Sequence, residues 1–443
     1  MQSEFNFFQQ WYPLIPIEDL EPHKPKPMTL LGKRLVIWKP TKSETYRVFL
    51  DQCPHRLAPL SEGRIEDKTG NLMCSYHGWE FNENGICQRV PQAENPEIVT
   101  KNQDNFCVIS FPVRQQQELL WVWPDEKTAA IAENTPLPLS PQIDAEKGFV
   151  WSNYVRDLEY DWQTLIENVA DPSHVPFAHH GVQGNRDKAQ PIPINIVKST
   201  MDLIEVDIAR GLPTTITFEP PCRLEYAISL GNTGKKLGLL VYAIPVSPGK
   251  SRIVAQFSRN FAKTLHRFIP RWWNHIHERN LVLDGDMMLL NQQEYLLQKK
   301  QLHESWKTAY KLPTNADKLV IEFRNWFDKY CQGKLPWHEV GINVSEPTPI
   351  NDNHGEMLDR YKQHTQHCSS CRTAVKNLER LQIGLLAYFV IVISGVALLP
   401  DDLRLQLGLP LIITALLGVG ISAWLKFSFI PKFYFVDYIH AEK

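Results

Sequence analysis

Two short motifs that combine cysteine with histidine constrain this chain more than any other feature. The first, C-P-H, runs from Cys53 to His55, and the second, C-S-Y-H, runs from Cys74 to His77, with 18 residues between them. Both motifs lie among short β-rich runs and carry the proline or glycine residues that favour turns. The pattern predicts two loops, each with one thiol and one imidazole, that together hold one metal group.

These donors suit a [2Fe–2S] cluster of the Rieske type, in which cysteines ligate one iron and histidines ligate the other. Imidazole in place of thiolate leaves less negative charge on the cluster and raises its reduction potential. The alternative is a structural zinc site, but zinc fingers separate their donors into C-x2–4-C and H-x3–5-H pairs. The mixed motifs therefore favour a Rieske cluster, ligated by Cys53, His55, Cys74 and His77.

A second group of polar residues lies in the segment ENVADPSHVPFAHHG, residues 167–181. Asn168, Asp171 and His174 follow one another at three-residue steps. This spacing predicts that they share one helix face, provided that the helix persists to Pro172. Asn168 and Asp171 are the candidate catalytic residues of this segment.

The same segment contains two histidines, His174 and His179, with Pro176 between them. Two histidines and one carboxylate form a facial triad on non-haem Fe(II), which leaves coordination positions open for O2. The alternative is a pair of structural histidines. The Rieske motif upstream argues against it, because such a cluster supplies the single electrons that a mononuclear iron needs. We predict that His174 and His179 bind iron, with His180 as the alternative to His179.

The third iron ligand is expected from the segment VLDGDMMLLNQQEY, residues 282–295. Asp284 and Asp286 are two residues apart on a predicted helix and therefore point to different faces. Asp286 shares a stripe with Leu283, Leu290 and Gln293, which favours Asp286 over Asp284 as the inward ligand. For either carboxylate, the alternative is a charge on the helix surface.

The distribution of apolar residues divides the chain into regions. We predict a small all-β Rieske domain, an α+β catalytic domain of antiparallel sheet plus helices, a linker, two transmembrane helices and a C-terminal tail. Their predicted bounds are 7–124, 145–345, 346–381, 382–426 and 427–443, and residues 125–144 are predicted to be a Pro/Ala-rich linker. The predicted strands include 35–38, 46–50, 119–123, 214–220, 224–230, 237–246 and 251–261, and the predicted helices include 161–170 and 280–300.

The C-terminal part contains two apolar runs, residues 383–399 and 405–425, of 17 and 21 residues without a charge. The first is at the short limit for a bilayer span and the second is comfortably long. The alternative is a buried helical hairpin of a soluble domain. Basic residues flank the outer ends, whereas the connecting residues 400–404 are net acidic. The positive-inside rule then predicts that most of the protein lies on the cytoplasmic or stroma-equivalent side of a thylakoid or plasma membrane.

Charge and composition exclude several classes of protein. Lys and Arg number 47 against 49 Asp and Glu, without a long basic run, so the sequence gives no support for nucleic-acid binding. Hydrophobic residues make up 43% of the chain, which is too many for a disordered protein. Eight cysteines are too few for a disulfide scaffold of this length.

The two metal-binding patterns, in this order, resemble the α-subunits of Rieske non-haem iron oxygenases over most of residues 7–345. The segments WYPLIPIEDL, CPHRLAPLSEGRI, CSYHGWEF, CQRVPQA and ENVADPSHVPFAHHG are similar to the pheophorbide a oxygenase branch, which includes chlorophyllide a oxygenase. A C-terminal C-x-x-C motif, two membrane spans and an aromatic-rich tail resemble the same branch. The N-terminus does not resemble a signal or plastid transit peptide, so the expectation is a cyanobacterial-type member.

The resemblance implies roles for the candidate residues. It makes Cys53, His55, Cys74 and His77 cluster ligands and makes His174, His179 and Asp286 iron ligands. It makes Asp171 a bridge between a Rieske histidine of one subunit and an iron histidine of the next, which implies a homotrimer. The gap between the cluster motifs is slightly long for the family, so we predict a lengthened hairpin near residues 66–71.

The resemblance also implies the reaction and the partners. The chain shows no nucleotide or flavin motif, so a ferredoxin-like donor is expected to deliver electrons. O2 and a lipophilic tetrapyrrole, pheophorbide a or a chlorophyllide, are the implied substrates, and anchoring in membrane lipid suits such a pigment. The alternatives are a redox-sensing membrane Rieske protein, and an oxygenase of the same class that acts on a non-pigment aromatic compound or a sterol.

A C-x-x-C motif, Cys368 and Cys371, lies beside Arg372 just before the first apolar run. Nearby cations lower the pKa of a thiol, which predicts a redox-active dithiol and a candidate target of thioredoxin. The alternative is a thiol pair without a role. A zinc site would need two further ligands, and the neighbouring sequence offers no obvious ones.

Overall fold

The computed structural model describes residues 4–442 apart from positions 96, 98–100, 102, 209, 302–304 and 345. Two compact units are present. The first consists of Met1–Phe268 and Leu289–Ile350, and the second consists of Ile269–Met288 and Asn351–Lys443.

Short antiparallel strands form the N-terminal part of the first unit. In a three-stranded sheet the first strand of this part pairs with the last one, which also pairs with the strand before it, so the two ends of the region close on each other. Two four-stranded sheets hold the other strands. In sheet order the strands are Tyr12–Pro16, Leu119–Val122 and Val113–Gln116; then Lys26–Leu30, Lys33–Trp38, Arg47–Leu50 and Ser110–Phe111; then Arg64–Ile65, Leu72–Met73, Glu80–Phe81 and Cys87–Arg89.

A buried apolar cluster holds these small sheets together. Val36 and Trp38 alternate along one strand and contribute to the cluster, as does Phe49 from the neighbouring strand. Cys53 and Cys74 belong to the same cluster, each 2% exposed. The sheets therefore carry both cysteine motifs on one packed core.

A seven-stranded antiparallel sheet forms the centre of the rest of the first unit. Its strands are rich in β-branched and aromatic residues, which favour pleated, half-buried surfaces. The long hairpin between residues 236 and 259 pairs Leu240 with Gln256 and Tyr242 with Val254. In sheet order the strands are Val150–Leu158, Lys250–Arg259, Lys236–Ser247, Arg223–Ser229, Thr214–Glu219, Ile204–Ile208 and Ile194–Ser199.

Two helices of the first unit pack beside this sheet. Trp162–Ala170 packs on strand Lys236–Ser247 and on helix Lys318–Cys331. The Trp162 ring lies edge-on against Phe323, with ring centroids 5.7 Å apart, and its Nε1 donates to the Pro221 carbonyl at 2.9 Å. This packing fixes the helix that leads into the segment 167–181. The shorter helices of this unit are Ala129–Asn134, Val175–Ala178, Lys263–Phe268 and Trp306–Ala309.

Residues 125–144, predicted to be a linker, are packed against the rest of the first unit. They contain the helix Ala129–Asn134. Tyr242 donates to the Pro138 carbonyl at 2.9 Å, and Gln142 donates to the buried Glu225 at 3.1 Å. These long-range hydrogen bonds could not be predicted from the proline and alanine content of the segment.

The second unit is mainly helical. Its two long apolar stretches are Ser369–Ala397 and Asp401–Phe433, each long and apolar enough to cross a membrane by length and composition. Ala415 packs between Val392 and Val396, and the Tyr388 and Thr414 hydroxyls lie 2.9 Å apart. The helices that lie wholly in this unit are Arg271–Asn274, His354–Met357, Ser369–Ala397, Asp401–Leu403 and Leu409–Trp424, and its π-turns are His275–Arg279, Tyr361–Thr365, Arg404–Gly408 and Leu425–Phe429.

The predicted fold class is confirmed. The β-rich N-terminal part, the antiparallel sheet with helices and the two apolar C-terminal helices are all present. The remaining long helix, Asn280–Gln301, contains both candidate aspartates.

Candidate iron centres

The two cysteine–histidine motifs form loops with the same hydrogen-bond pattern. In each loop the cysteine N–H donates to the carbonyl five residues further on, and the N–H four residues on donates back to the cysteine carbonyl. The pairs are Cys53 to Ala58 at 2.8 Å, Leu57 to Cys53 at 2.9 Å, Cys74 to Trp79 at 2.8 Å and Gly78 to Cys74 at 3.0 Å. The shared pattern means that the two loops present their donors from matching backbone positions.

Both loops also turn at a residue with left-handed backbone. Leu57 has φ +62° and Gly78, at the matching position, has φ +72°. Glycine adopts this conformation without strain, whereas a side chain at this φ costs about 1–2 kcal/mol. A Cβ at Gly78 would also lie 3.1 Å from the Pro91 ring. The second loop therefore needs glycine at its turn more strongly than the first.

The donors of the two loops divide into buried thiols and accessible imidazoles. The His55 and His77 ring centroids are 4.4 Å apart, and the His55 ring stacks on Trp79 at 4.7 Å. His55 is exposed and His77 is partly exposed, whereas Cys53 and Cys74 are buried. This arrangement fits a cluster with its cysteine-bound iron inside and its histidine-bound iron near the surface.

Burial disfavours a free thiolate in this site. The pKa of the Cys53 thiol is raised to about 12, chiefly by burial and also by the neighbouring Cys74, although a backbone hydrogen bond from His55 opposes the shift. A thiol in such surroundings loses its proton when a metal takes the proton's place. The donor set therefore fits a bound iron–sulfur cluster.

The extra residues between the two motifs form a hairpin turn. Strands Arg64–Ile65 and Leu72–Met73 pair, and Glu66 donates to Asn71 at 2.9 Å across the turn. Gly70 closes the turn with a bond to the Glu66 carbonyl at 2.7 Å. The longer gap thus lengthens a hairpin, as predicted, and both cysteine loops keep their hydrogen bonds.

The helix before the second candidate site ends at the predicted residue. It spans Trp162–Ala170, and Asp171 is its C-cap with extended backbone. The helix does not persist to Pro172, so the condition under which Asn168, Asp171 and His174 would share one helix face is not met. Pro172 explains this end, because proline disfavours helical backbone at the residue before it.

The turn after this helix brings His174 and His179 together. Their Nε2 atoms lie 3.2 Å apart. Two imidazole nitrogens at about 2.1 Å from one divalent ion, on adjacent coordination positions, would be about 3.0–3.4 Å apart. The His174 Nδ1 lies 2.5 Å from the Asp171 carbonyl, a contact that leaves Nε2 as the metal-binding nitrogen.

The neighbouring residues distinguish His179 from His180. His179 is 2% exposed and directs its ring to His174, whereas the His180 Nδ1 accepts a bond from the Arg186 N–H at 3.1 Å. The Asp171 carboxylate accepts from the Ser173 N–H at 2.7 Å. This geometry favours His179 over His180 as the partner of His174.

The candidate aspartates, Asp284 and Asp286, are both buried in the second unit, at 0% and 3% exposure. The Arg360 guanidinium makes a fully buried salt bridge with Asp284, with Nε 2.8 Å from Oδ2. The same guanidinium donates to the Lys432 carbonyl at 2.9 Å. Asp284 is therefore engaged in a structural ion pair, which favours Asp286 as the metal ligand of the two.

The C-x-x-C cysteines lie in a group that sequence reasoning missed. Cys368 and Cys371 are not joined in a disulfide and are fully buried where helix Ser369–Ala397 begins. His275 and His364 lie beside them. His364 precedes the motif by four residues, and that H-x3-C-x2-C spacing was the available signal. His275 is too distant in sequence to be found from spacing.

Comparison with known proteins shows close relatives. Residues 10–112 match the Rieske [2Fe-2S] domain, and residues 218–304 match the pheophorbide a oxygenase family. The chain is 37% identical to pheophorbide a oxygenase of Oryza sativa subsp. japonica, over 99% of this chain and 86% of the relative. It is 32% identical to flavonoid 8-hydroxylase 2 of Ocimum basilicum, over 99% of this chain and 87% of the relative.

A solved structure shares the fold. The crystal structure of dicamba monooxygenase bound to dicamba superposes with a TM-score of 0.59, over 75% of this chain and 99% of that chain. The identity of the pair is 19%, so the similarity concerns the fold alone.

Proposed function

Because this chain belongs to the pheophorbide a oxygenase branch of the Rieske oxygenases, we propose that it is a membrane-anchored oxygenase of a chlorophyll-type tetrapyrrole. The family makes it an oxidoreductase with a Rieske [2Fe–2S] cluster and a mononuclear iron. When bound, the cluster supplies single electrons and the ferrous ion supplies a site for O2 activation. The chain itself must bind these groups, orient the substrate and receive electrons from a donor.

The ligand assignment rests on donor chemistry and position. We assign the cluster to the two loops described above and the mononuclear iron to His174 and His179, with Asp286 as the third ligand. The support for the iron site is the 3.2 Å separation of the two imidazole nitrogens. The support for Asp286 is that Arg360 already engages Asp284. The cluster ligands assigned here are Cys53, His55, Cys74 and His77.

In this proposal Asp171 has two roles, one for its backbone carbonyl and one for its side-chain carboxylate. Its carbonyl orients the His174 ring, and its carboxylate is 26% exposed and can meet a second subunit. His55 is exposed as well, so a histidine from the cluster loops is accessible to a neighbour. These two accessible groups support a homotrimer in which electrons cross between subunits. Asn168 positions Asp171, because its carbonyl accepts the Asp171 N–H at 3.2 Å.

The two apolar helices support membrane anchoring. Only 11% and 22% of their most apolar stretches are buried inside the protein. Large side chains such as Ile383, Leu398 and Leu405 are 66%, 87% and 81% exposed. A contiguous apolar surface of this kind needs lipid or a partner to cover it. We place the helices in a thylakoid or plasma membrane, with the rest of the chain on the stroma-equivalent or cytoplasmic side.

The single observation that carries the substrate proposal is 37% identity along 99% of this chain to a pheophorbide a oxygenase.

One observation favours a second candidate, a non-pigment aromatic substrate. A flavonoid hydroxylase is 32% identical over the same share of the chain. The redox-sensor hypothesis is less well supported, because a sensor would have no need of the His174–His179 pair. A ferredoxin-like protein is the proposed donor.

A turnover panel tests this proposal. The full chain in detergent receives ferredoxin, its reductase and NADPH, and is offered pheophorbide a, chlorophyllide a, protochlorophyllide and a flavone. We expect an oxygenated product from a tetrapyrrole, detected by mass spectrometry, and none with His174→Ala. His180→Ala is the matched control and should retain activity.

The other outcomes of the panel choose between the alternatives. Product from the flavone alone would replace the tetrapyrrole by a non-pigment aromatic substrate. Reduction of the cluster without product from any compound would overturn the oxygenase proposal for these substrates and favour the redox-sensor hypothesis.

A further inference from the structure

Two buried histidines and the C-x-x-C cysteines form a cluster inside the second unit. His275, His364, Cys368 and Cys371 are between 0% and 2% exposed. Each offers one ligand atom, and the four atoms lie within 4.8 Å of one another. The proposed oxygenase chemistry uses none of these residues, and the two cysteines are not joined in a disulfide.

The distances within this cluster match the edges of a tetrahedron around one metal ion. With Zn–N bonds of about 2.0–2.1 Å and Zn–S bonds of about 2.3 Å, tetrahedral N–N edges are about 3.3 Å and N–S edges about 3.6 Å. The one N–N edge is 3.1 Å, between His364 Nε2 and His275 Nδ1. Three of the four N–S edges are His364 Nε2 to Cys371 Sγ at 3.3 Å, His275 Nδ1 to Cys371 Sγ at 3.5 Å and His275 Nδ1 to Cys368 Sγ at 3.7 Å.

The local backbone is unusual at both histidines. His275 begins the π-turn His275–Arg279, and His364 lies in the π-turn Tyr361–Thr365. Single π-turns of this kind occur frequently at functional sites. Cys368 is the N-cap of helix Ser369–Ala397, and Cys371 lies in its first turn. Two separate stretches of chain, one with His275 and one with residues 364–371, therefore converge on the four donors.

A cation lies beside the two thiols. Thiolate and neutral imidazole are the forms that bind a metal ion, and a nearby positive charge favours thiolate. The Arg271 guanidinium lies 3.7 Å from the Cys368 Sγ and donates to the Ser369 hydroxyl at 3.2 Å.

We propose that His275, His364, Cys368 and Cys371 bind one zinc ion. Four protein donors fill a tetrahedral site, which is the arrangement of structural zinc rather than of catalytic zinc. A [2Fe–2S] cluster does not suit these four residues. In a Rieske cluster the cysteines bind one iron and the histidines bind the other, so the sulfur and nitrogen atoms would lie further apart than they do here. The site is enclosed by apolar side chains, including Ile276, Ala374, Val375, Phe429 and Phe433.

The zinc ion would tie together the segments that precede helix Asn280–Gln301 and helix Ser369–Ala397. His275 belongs to the turn before the first of these helices. His364 lies in the π-turn Tyr361–Thr365, Cys368 is the N-cap of the second helix and Cys371 lies in its first turn. Metal binding at such a site contributes directly to folding, because the unfolded chain has no preformed site. While zinc is bound, the C-x-x-C thiols are ligands and are not available as a redox dithiol. This proposal stands independently of the substrate.

Elemental analysis of the full chain in detergent tests the proposal. We expect one zinc ion per chain in addition to iron. Cys368→Ser with Cys371→Ser should lose the zinc and keep the electron paramagnetic resonance signal of the Rieske cluster. Cys331→Ser, which changes a buried cysteine of the first unit, is the matched control and should retain zinc.

A conservative exchange separates loss of a ligand from misfolding. His364→Cys keeps four donors and should retain zinc, whereas His364→Ala should lose it. Zinc-edge X-ray absorption of the wild type should show two sulfur and two nitrogen neighbours, at about 2.3 Å and about 2.0–2.1 Å. Wild-type protein without zinc, zinc that persists in the double serine variant, or zinc with only nitrogen and oxygen neighbours would each overturn the proposal.

Discussion

The Nε2 atoms of His174 and His179 lie 3.2 Å apart, and the carbonyl of Asp171 contacts the other ring nitrogen of His174. The pair results from a turn that follows Pro172 and not from a helix face. A short segment of chain thus presents two imidazoles to one point and orients one of them through its own backbone.

Replacing His179 by alanine should remove the mononuclear iron and leave the Rieske cluster in place. One of two adjacent imidazoles is lost, so the product-forming rate should fall by more than about 100-fold, since even the loss of an outer partner of a metal ligand costs about 10–100-fold. Iron analysis and the cluster's paramagnetic resonance signal measure the two metals separately. His180→Ala is the control, and equal iron loss in both variants would contradict the assignment.

Replacing Asp171 by asparagine should separate orientation of His174 from electron delivery. The backbone carbonyl that contacts His174 remains, so the variant should keep its iron. The carboxylate that is accessible to a neighbouring subunit is lost, so product formation should fall by about 10–100-fold. Steady-state turnover and iron content are measured together. Loss of iron in Asp171→Asn would show that the side chain is needed to hold the metal.

Breaking the ion pair of Asp284 and removing the carboxylate of Asp286 should have opposite effects. Arg360→Met leaves Asp284 buried without its cation and should cost about 3–5 kcal/mol of stability. Iron binding should survive in the folded fraction. Asp286→Ala should lose iron with little change in the thermal midpoint. Iron loss in Arg360→Met with iron retained in Asp286→Ala would contradict the choice of Asp286.

A buried carboxyl in the first unit should make stability depend on pH. Burial raises the pKa of Glu294 to about 7, whereas its ordinary value is near 4.5. Between these values the folded protein keeps a proton that the unfolded chain releases, so the free energy of unfolding should fall as pH rises from about 4.5 to about 7. Glu294→Gln keeps an acceptor for the Asp161 N–H and the Thr164 hydroxyl and cannot ionise.

The thermal midpoints of wild type and Glu294→Gln, taken at pH 5 and pH 8, measure this effect. At pH 8 the thermal midpoint of the variant should rise relative to that of the wild type, and at pH 5 the two midpoints should differ little. Glu133→Gln, at an exposed position, is the control and should show no pH-dependent difference. An equal difference between Glu294→Gln and wild type at both pH values would contradict the assignment.

The matching turns of the cluster loops should tolerate substitution unequally. Gly78→Val introduces a Cβ at φ +72° and against the Pro91 ring, so cluster content should fall. Leu57→Gly removes a 65% exposed side chain from a left-handed position, so cluster content should be unchanged. Visible absorption of the cluster per chain measures both. Equal loss in the two variants would show that the turns are not constrained by backbone conformation.

The strands and the long helices were predictable because their patterns are local. Strands predicted at 214–220 and 224–230 are present as Thr214–Glu219 and Arg223–Ser229, and the helix predicted at 161–170 spans Trp162–Ala170. Apolar and β-branched runs specify such elements without knowledge of their partners. The end of the helix before Asp171 was also predictable, since Pro172 follows directly and disfavours helical backbone at the residue before it.

The long-range partners were not predictable. Arg360 and Asp284 are 76 residues apart, so spacing could not reveal the ion pair that engages Asp284. His275 lies far from the C-x-x-C motif in sequence, so the four-donor cluster appears only in the folded chain. Periodicity describes one element at a time, and these relationships depend on how elements meet.

The central claim, that this chain oxygenates a tetrapyrrole at its mononuclear iron, is tested most directly by a single turnover under ¹⁸O₂. Prereduced protein in detergent is mixed with one pigment at a time, and the product is analysed by mass spectrometry. The account predicts ¹⁸O in the product of one pigment and none with His174→Ala. Reoxidation of the cluster without label in any pigment would contradict it.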